Sequence, residues 1–93
     1  DPDYSAKVEI SAYNSSSNQF IVPKSGYVAA TILGENYGGL YVNGVKCLGS
    51  NSASGYAMPL FTRVCKNDSI WLSGPNTNTT WSPGNYFIPC KGA

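Results

Sequence analysis

The chain has 93 residues, which corresponds to one domain, and only 12% of them are charged. An ordinary globular domain carries about 25% charged residues, so this exterior must be built mainly from Ser, Asn, Thr and Gly. The formal net charge of +1 argues against nucleic acid and anionic membranes as partners, because both require a concentrated basic face. No run approaches the roughly 20 apolar residues that span a bilayer. Such a surface suits a neutral ligand such as a glycan, contact with copies of the same chain, or solubility alone.

The chain in order consists of short β-favouring runs separated by polar turns, without a helical period of useful length. The predicted strands lie at residues 7–13, 19–22 and 27–33, in two arms of a hairpin within 38–48, and at 56–64, 69–73 and 85–90. Seven or eight short strands, with a turn about every 8–12 residues, are typical of an all-β antiparallel β-sandwich of the jelly-roll type.

Three of these runs carry further information. In the first, Val8, Ile10 and Ala12 alternate with polar residues, which predicts a strand with one buried face. The run 27–33 is apolar on both faces, which predicts a central strand covered on both sides. Pro59 lacks a backbone donor, so its run is expected at a sheet edge or in a bend.

The clearest local signal is Asn43-Gly44, which lies between two short β-favouring runs. A type I′ hairpin turn requires positive φ at both central residues, and Asn followed by Gly supplies this at the lowest steric cost. The pair therefore predicts a tight antiparallel hairpin with locally paired strands.

Residues with catalytic potential are few. The chain has no histidine and five carboxylates, and Glu35 and Asp68 lie in separate predicted loops. Nothing therefore brings two carboxylates to the spacing of a glycosidase. With their neighbours Asn36 and Asn67 these acids are weak calcium candidates, but turn chemistry explains them equally well. We expect no enzymatic activity, no metal site and no cofactor.

The three cysteines are Cys47, Cys65 and Cys90, and their wide spacing does not fit a zinc site. One disulfide with one free thiol is open as an alternative. Three buried, reduced thiols that act as small hydrophobes are the simpler interpretation. That interpretation favours synthesis in a reducing cytoplasm.

Trp81 is the first candidate for ligand binding. It lies in a stretch of amide and hydroxyl side chains that includes Asn76, Asn78 and Thr79. Saccharide sites commonly combine an aromatic face for the C–H side of a sugar with amides for its hydroxyls. The alternative is that Trp81 folds back and plugs one end of the sandwich.

Other aromatic residues have different expected roles. Tyr37, beside Asn36 in the preceding loop, is the second candidate for ligand contact. Trp71 lies in an apolar run, which fits either the core or a subunit interface.

Four stretches carry a family resemblance: residues 2–8, 20–28, 40–45 and 61–68, the last completed by 87–92. The first is a lead-in segment, and the second is a chain reversal in which apolar residues are followed by Pro, two polar residues, Gly and an aromatic residue. The third is an Asn-Gly hairpin, and the fourth is a strand that ends in a turn with a basic residue. This order resembles the C-terminal domains of bacteriophage tail fibres and related prophage tail proteins. The family pattern has glycine in the last turn, where this chain has Asn67, a residue that also tolerates the left-handed conformation.

The resemblance implies a homotrimeric knob in which residues 1–6 lead in from a shaft and 7–93 form one sandwich in each protomer. It also implies attachment to a host-surface glycan or protein receptor, through Trp81 and its neighbours, at the tail-fibre tip of a virion assembled in the host cytoplasm. Two alternatives stay open: a structural cap that trimerises the fibre without a host ligand, and a secreted lectin-like module with one disulfide.

Overall fold

The structure is a computed structural model in which residues 1–33, 38–49, 57–78 and 83–92 are described. The strands in these ranges are β1 (Val8–Glu9), β2 (Phe20–Ile21), β3 (Gly26–Leu33), β4 (Gly39–Val42), β5 (Val45–Gly49), β6 (Ala57–Val64), β7 (Ser69–Ser73) and β8 (Tyr86–Pro89). They form two four-stranded antiparallel sheets. Sheet I has the order β1-β8-β3-β6, and sheet II has the order β2-β7-β4-β5. The prediction of an all-β antiparallel sandwich is confirmed.

The strand order is that of a jelly roll. β4 pairs with β5, β3 with β6, β2 with β7 and β1 with β8, so the chain runs out and back as one antiparallel ribbon. The ribbon winds on itself, which adds the β3–β8 and β4–β7 pairings and divides its strands between the two sheets. This winding is the jelly-roll arrangement, and the β4–β5 hairpin is the tip of the ribbon.

Asn43 and Gly44 make that tip. Their φ angles are 51° and 85°, so both central positions are left-handed, as a type I′ turn requires. The Asn43 side chain also bonds outside the hairpin: Nδ2 donates to Asp68 Oδ1 at 3.0 Å, and Oδ1 accepts from the Ser69 backbone N–H at 2.9 Å. The hairpin tip is therefore tied to the turn before β7.

We expect Asn43→Ala to lower the free energy of unfolding by about 2 kcal/mol, because alanine disfavours positive φ and both side-chain hydrogen bonds are lost. Asn43→Gly keeps the left-handed conformation and is expected to cost about half as much. Urea denaturation of both variants measures the difference, and equal losses would contradict the conformational part of this argument.

The core lies between the sheets and is built by alternation along the strands. β3 is internal to sheet I, between β8 and β6, so its predicted central position is confirmed. Its inward residues are buried, whereas its outward residues are half-buried, so it is fully covered on one face only. The inward residues that meet at the centre are Val28, Ile32 and Phe87 from sheet I and Leu40, Ile70 and Leu72 from sheet II.

The first strand is shorter than its pattern predicts. β1 has two residues at the edge of sheet I, and the chain then turns, with the Tyr13 N–H donating to the Ile10 carbonyl at 3.1 Å. Ile10 is buried, but Val8 is 41% exposed and Ala12 is exposed. The predicted single buried face is therefore wrong, because the strand ends before the alternation can continue.

The expectation of three buried cysteines is wrong for two of them. Cys47 lies on β5, which is an outer strand of sheet II, and Cys65 follows β6 in a surface turn. Both are exposed, and Cys90 is buried. All three are free thiols.

Residues 1–6 lie against the end of β8. The Asp3 N–H donates to the Pro89 carbonyl and the Lys91 N–H donates to the Asp1 carbonyl, each at 2.7 Å. A short 3₁₀ turn, Tyr4–Ala6, follows. The Ser5 hydroxyl donates to Asp3 Oδ1 at 2.7 Å and lowers the pKa of that carboxyl. Within the described ranges, no helix has the length and apolar character needed to cross a bilayer.

Candidate binding site

The outer face of sheet I carries a row of register partners, of which those on β6, β3 and β8 form the site. Ala29 on β3 is paired with Phe61 on β6 and with Tyr86 on β8. Register partners on neighbouring strands point to the same face of a sheet. Strands lie about 4.8 Å apart, so two aromatic side chains flank a methyl group across roughly 10 Å. The small residue between two large ones leaves a groove.

The groove is a shallow cavity of about 270 Å³. Ala29 and Thr31 form its floor, and Pro59 and Phe61 form one wall. Pro83 and Tyr86 form the other wall. Almost all of this lining is apolar, and Thr31 and Tyr86 are the lining residues whose side chains carry a hydroxyl group.

The wall at Tyr86 depends on Gly84. A Cβ atom at Gly84 would lie 2.6–2.7 Å from the Tyr86 ring and hydroxyl, and the φ of Gly84 is 116°. Only a residue without a side chain allows the ring to approach the backbone so closely in this conformation. Lys7 Nζ lies on the Tyr86 ring, 4.4 Å from its centroid.

The wall at Phe61 is also held by ring contacts. Phe61 stacks on Tyr27, with the ring centroids 5.3 Å apart and the planes at 16°. The guanidinium carbon of Arg63 lies 5.8 Å from the Tyr27 centroid. Phe61 is nevertheless 55% exposed. Both aromatic walls are therefore positioned before any ligand arrives, and one of them offers a large apolar surface to solvent.

Asn85 is a buried residue beside the groove whose side chain bonds three segments of the chain. Its Oδ1 accepts from the Thr31 N–H at 2.8 Å, and its Nδ2 donates to Ser11 Oγ at 2.8 Å and to the Asn76 carbonyl at 3.1 Å. The residue is fully buried. It joins β3, the turn after β1 and the loop after β7, and it lies between the two groove residues Gly84 and Tyr86.

Sequence reasoning missed Asn85, which it placed at the start of the last strand without a separate role. An isolated asparagine next to glycine is indistinguishable from a turn residue. Its burial in the folded structure is what shows that the Asn85 amide holds neighbouring segments together.

The predicted ligand residues fall into two groups. Asn76 is only 5% exposed; its N–H donates to the Thr31 carbonyl at 2.7 Å and its Oδ1 accepts from the Asn78 N–H at 3.0 Å. Asn78 is at the surface. Asn76 thus holds the loop beside the groove, with part of its amide engaged within the protein. The other predicted ligand residues, Trp81, Thr79, Tyr37 and Asn36, lie outside the described residues.

A second aromatic pair lies on the outer face of sheet II. Tyr41 and Trp71 are register partners, and their rings stack with centroids 4.2 Å apart and planes at 10°. Trp71 is half-buried, so it lies outside the core between the sheets. Its role in a subunit interface stays a prediction.

Carboxylates in the described ranges stabilise turns. Asp68 accepts from the Cys65 N–H at 2.8 Å as well as from Asn43, and Glu9 accepts from the Ser11 N–H at 2.6 Å. In the same ranges, no three His, Cys, Asp or Glu side chains are grouped so that they could hold a metal ion.

Comparisons of the chain with models of known families, with curated proteins and with solved structures found no match. Its fold and surface define the chain as a small jelly-roll domain with an aromatic groove on one sheet.

Proposed function

We propose that this domain is a binding module that recognises a saccharide on a cell surface, with the groove between Phe61 and Tyr86 as its contact. The observation that carries the proposal is the exposed Phe61 ring at the side of a groove whose walls are already positioned. An aromatic side chain left in water beside a concave surface commonly marks an interaction site.

The chemistry of the groove fits a sugar ring. One face of a pyranose presents C–H groups, which pack on an aromatic face, and its hydroxyls take hydrogen bonds at the edge. Thr31 and Tyr86, whose side chains carry hydroxyls, line the groove, and the loop that carries Asn76 and Asn78 is bonded to its floor at Thr31. Aromatic stacking combined with a few hydroxyl and amide groups is the combination that the sequence suggested for the stretch around Trp81.

The family resemblance suggests where such a module works. On that basis we propose the receptor-binding tip of a phage tail fibre, assembled as a homotrimer in the host cytoplasm, with binding rather than catalysis as its role. One observation is compatible with the resemblance: Asn67, which stands where the family pattern has glycine, has a φ of 74°, a left-handed conformation that glycine adopts readily. The jelly-roll fold itself hosts many functions and adds little to this choice.

Phe61→Ala tests the groove directly. Loss of the stacking surface is expected to weaken binding to a saccharide identified on a glycan array by about tenfold, since an aromatic contact is worth about 1–1.5 kcal/mol. Phe61→Leu keeps an apolar side chain but loses the ring face, so it is expected to lose most of the same affinity. Titration calorimetry measures both.

Val45→Ala is the matched control, because Val45 is 63% exposed and lies on β5 in sheet II. It is expected to bind as the unchanged protein does. A folded Phe61→Ala variant with undiminished affinity would place the contact elsewhere, and Trp81→Ala would then be the next variant to test.

The structural-cap alternative has an observation in its favour. The outer face of sheet II presents the Tyr41–Trp71 stack and an Ile21 side chain that is 59% exposed, an apolar surface that a second copy would cover. Light scattering of the purified domain separates the possibilities. A monomer would contradict both tail-fibre proposals, and a trimer that fails to block phage adsorption to host cells would favour the cap.

A further inference from the structure

Each aromatic wall of the groove has a cation beside it. Lys7 Nζ lies 4.4 Å from the centroid of Tyr86, which forms one wall. Arg63 lies 5.8 Å from the centroid of Tyr27, whose ring stacks on Phe61 in the other wall. A cation on an aromatic face is attracted by the ring quadrupole and is held close to that surface. The groove therefore lies between two positioned positive charges.

Within the described ranges, neither cation forms an ion pair with a carboxylate. Lys7 contacts the Tyr86 ring, and Arg63 contacts the Tyr27 ring. Glu9 lies on this face of the sheet, because it is the register partner of Tyr86. Its two oxygens accept from the backbone N–H groups of Ser11, at 2.6 Å, and Asn85, at 3.4 Å.

Two of the other described acids, Asp3 and Asp68, have partners away from the groove. Asp3 bonds Ser5 and lies in the field of Lys24 and Lys91. Asp68 bonds the hairpin tip. Neither Lys7 nor Arg63 forms an ion pair with these acids, so each can meet a ligand carboxylate, although the chain as a whole has a net charge of only +1.

We infer that the groove selects carboxylated saccharides, such as glycans that contain hexuronic acid, over neutral ones. The inference rests on the saccharide-binding function proposed above and names its ligand class. A hexuronic acid places the carboxylate at the edge of the sugar ring, so a ring stacked on Phe61 can direct this group toward a flanking cation. The guanidinium of Arg63 offers two parallel N–H donors to a carboxylate, and Lys7 offers a point charge.

The test uses a glycan array of matched pairs, in which each uronic-acid glycan is printed beside its methyl ester. The ester removes the charge and keeps the ring. At about 50 mM salt the acid form of a bound pair is expected to bind at least about tenfold more tightly than the ester. At about 500 mM salt the preference is expected to fall to about twofold or less, because screening weakens exposed charge pairs.

Arg63→Gln and Lys7→Gln identify the groups responsible. Each variant is expected to reduce the acid-over-ester preference by about threefold or more while leaving the affinity for the ester within about twofold. Lys46→Gln is the matched control: it removes the same charge from β5 in sheet II and is expected to keep the full preference.

The outcomes separate this inference from the proposed function. Binding of acid and ester with equal affinity would overturn the preference for acids and leave the saccharide site standing. A preference that survives both groove variants but disappears in Lys46→Gln would also overturn it. Failure of every glycan to bind a folded protein would contradict the proposed function itself.

Discussion

Asn85→Ala is expected to lower the free energy of unfolding by about 3 kcal/mol, because the substitution leaves buried polar groups without partners. The amide makes three hydrogen bonds, to the Thr31 N–H, the Ser11 hydroxyl and the Asn76 carbonyl. Alanine satisfies none of them. Each buried group left unpaired costs about 1–3 kcal/mol, and water can reach the partners only if the loop and β3 move apart.

Asn18→Ala is the matched control for this substitution. Asn18 also donates from Nδ2 to a backbone carbonyl, that of Ala12 at 3.0 Å, but it is exposed. Water replaces that bond, so the expected cost is below about 1 kcal/mol. Thermal unfolding followed by circular dichroism would show the midpoint of Asn85→Ala about 12–20 °C lower and that of Asn18→Ala nearly unchanged. Similar midpoints for the two variants would mean that Asn85 does not hold these elements together.

The architecture was predictable because its main signals are local. Asn43-Gly44 set a hairpin turn, and the turns on either side of it divided the chain into strands of the right length. From the β4–β5 hairpin, the remaining strands are paired outward in order along the ribbon. Local turn chemistry therefore carried most of the information about this fold.

The groove was not predictable in the same way. It depends on Phe61, Ala29 and Tyr86 falling in one row, and these residues lie far apart in the chain. A shift of one residue in either pairing would turn an aromatic ring to the other face of the sheet. Nothing in the sequence fixes the registers of the β3–β6 and β3–β8 pairings, so an exposed Phe61 could not be distinguished from a core phenylalanine.

The same limit explains why burial of β1 and the cysteines was misjudged. Edge position decides whether a side chain on a short strand is covered, and edge position is a property of the whole sheet order. Cys47 on β5 and Val8 on β1 both lie on outer strands. Their residue types favour burial, but within the described residues each of these strands has a neighbour on one side only.

Phe87→Ala is expected to be the most damaging substitution in the core, with a loss of about 4 kcal/mol in the free energy of unfolding. The Phe87 ring is almost fully buried. It packs on Phe20, with the ring centroids 5.5 Å apart, and on the bare backbone of Gly26, where an added Cβ would lie 2.8–2.9 Å from two ring atoms. Truncation leaves a cavity between the sheets. β3 and β8 cannot move to fill it, because Phe87 and Gly26 belong to the paired stretch of these two strands.

Phe61→Ala is the control, since it removes the same side chain from the outer face of the same sheet. Phe61 is 55% exposed, so its loss is expected to cost about 1 kcal/mol, mostly from the stack with Tyr27. Urea titration of both variants, with unchanged m-values, measures the two costs. A domain of this size has a stability of about 5–15 kcal/mol, so Phe87→Ala removes a large part of it while Phe61→Ala leaves a folded protein for the binding measurements. If the two variants unfolded at the same urea concentration, the sheet would not have the inner and outer faces described, and the groove would lose its basis.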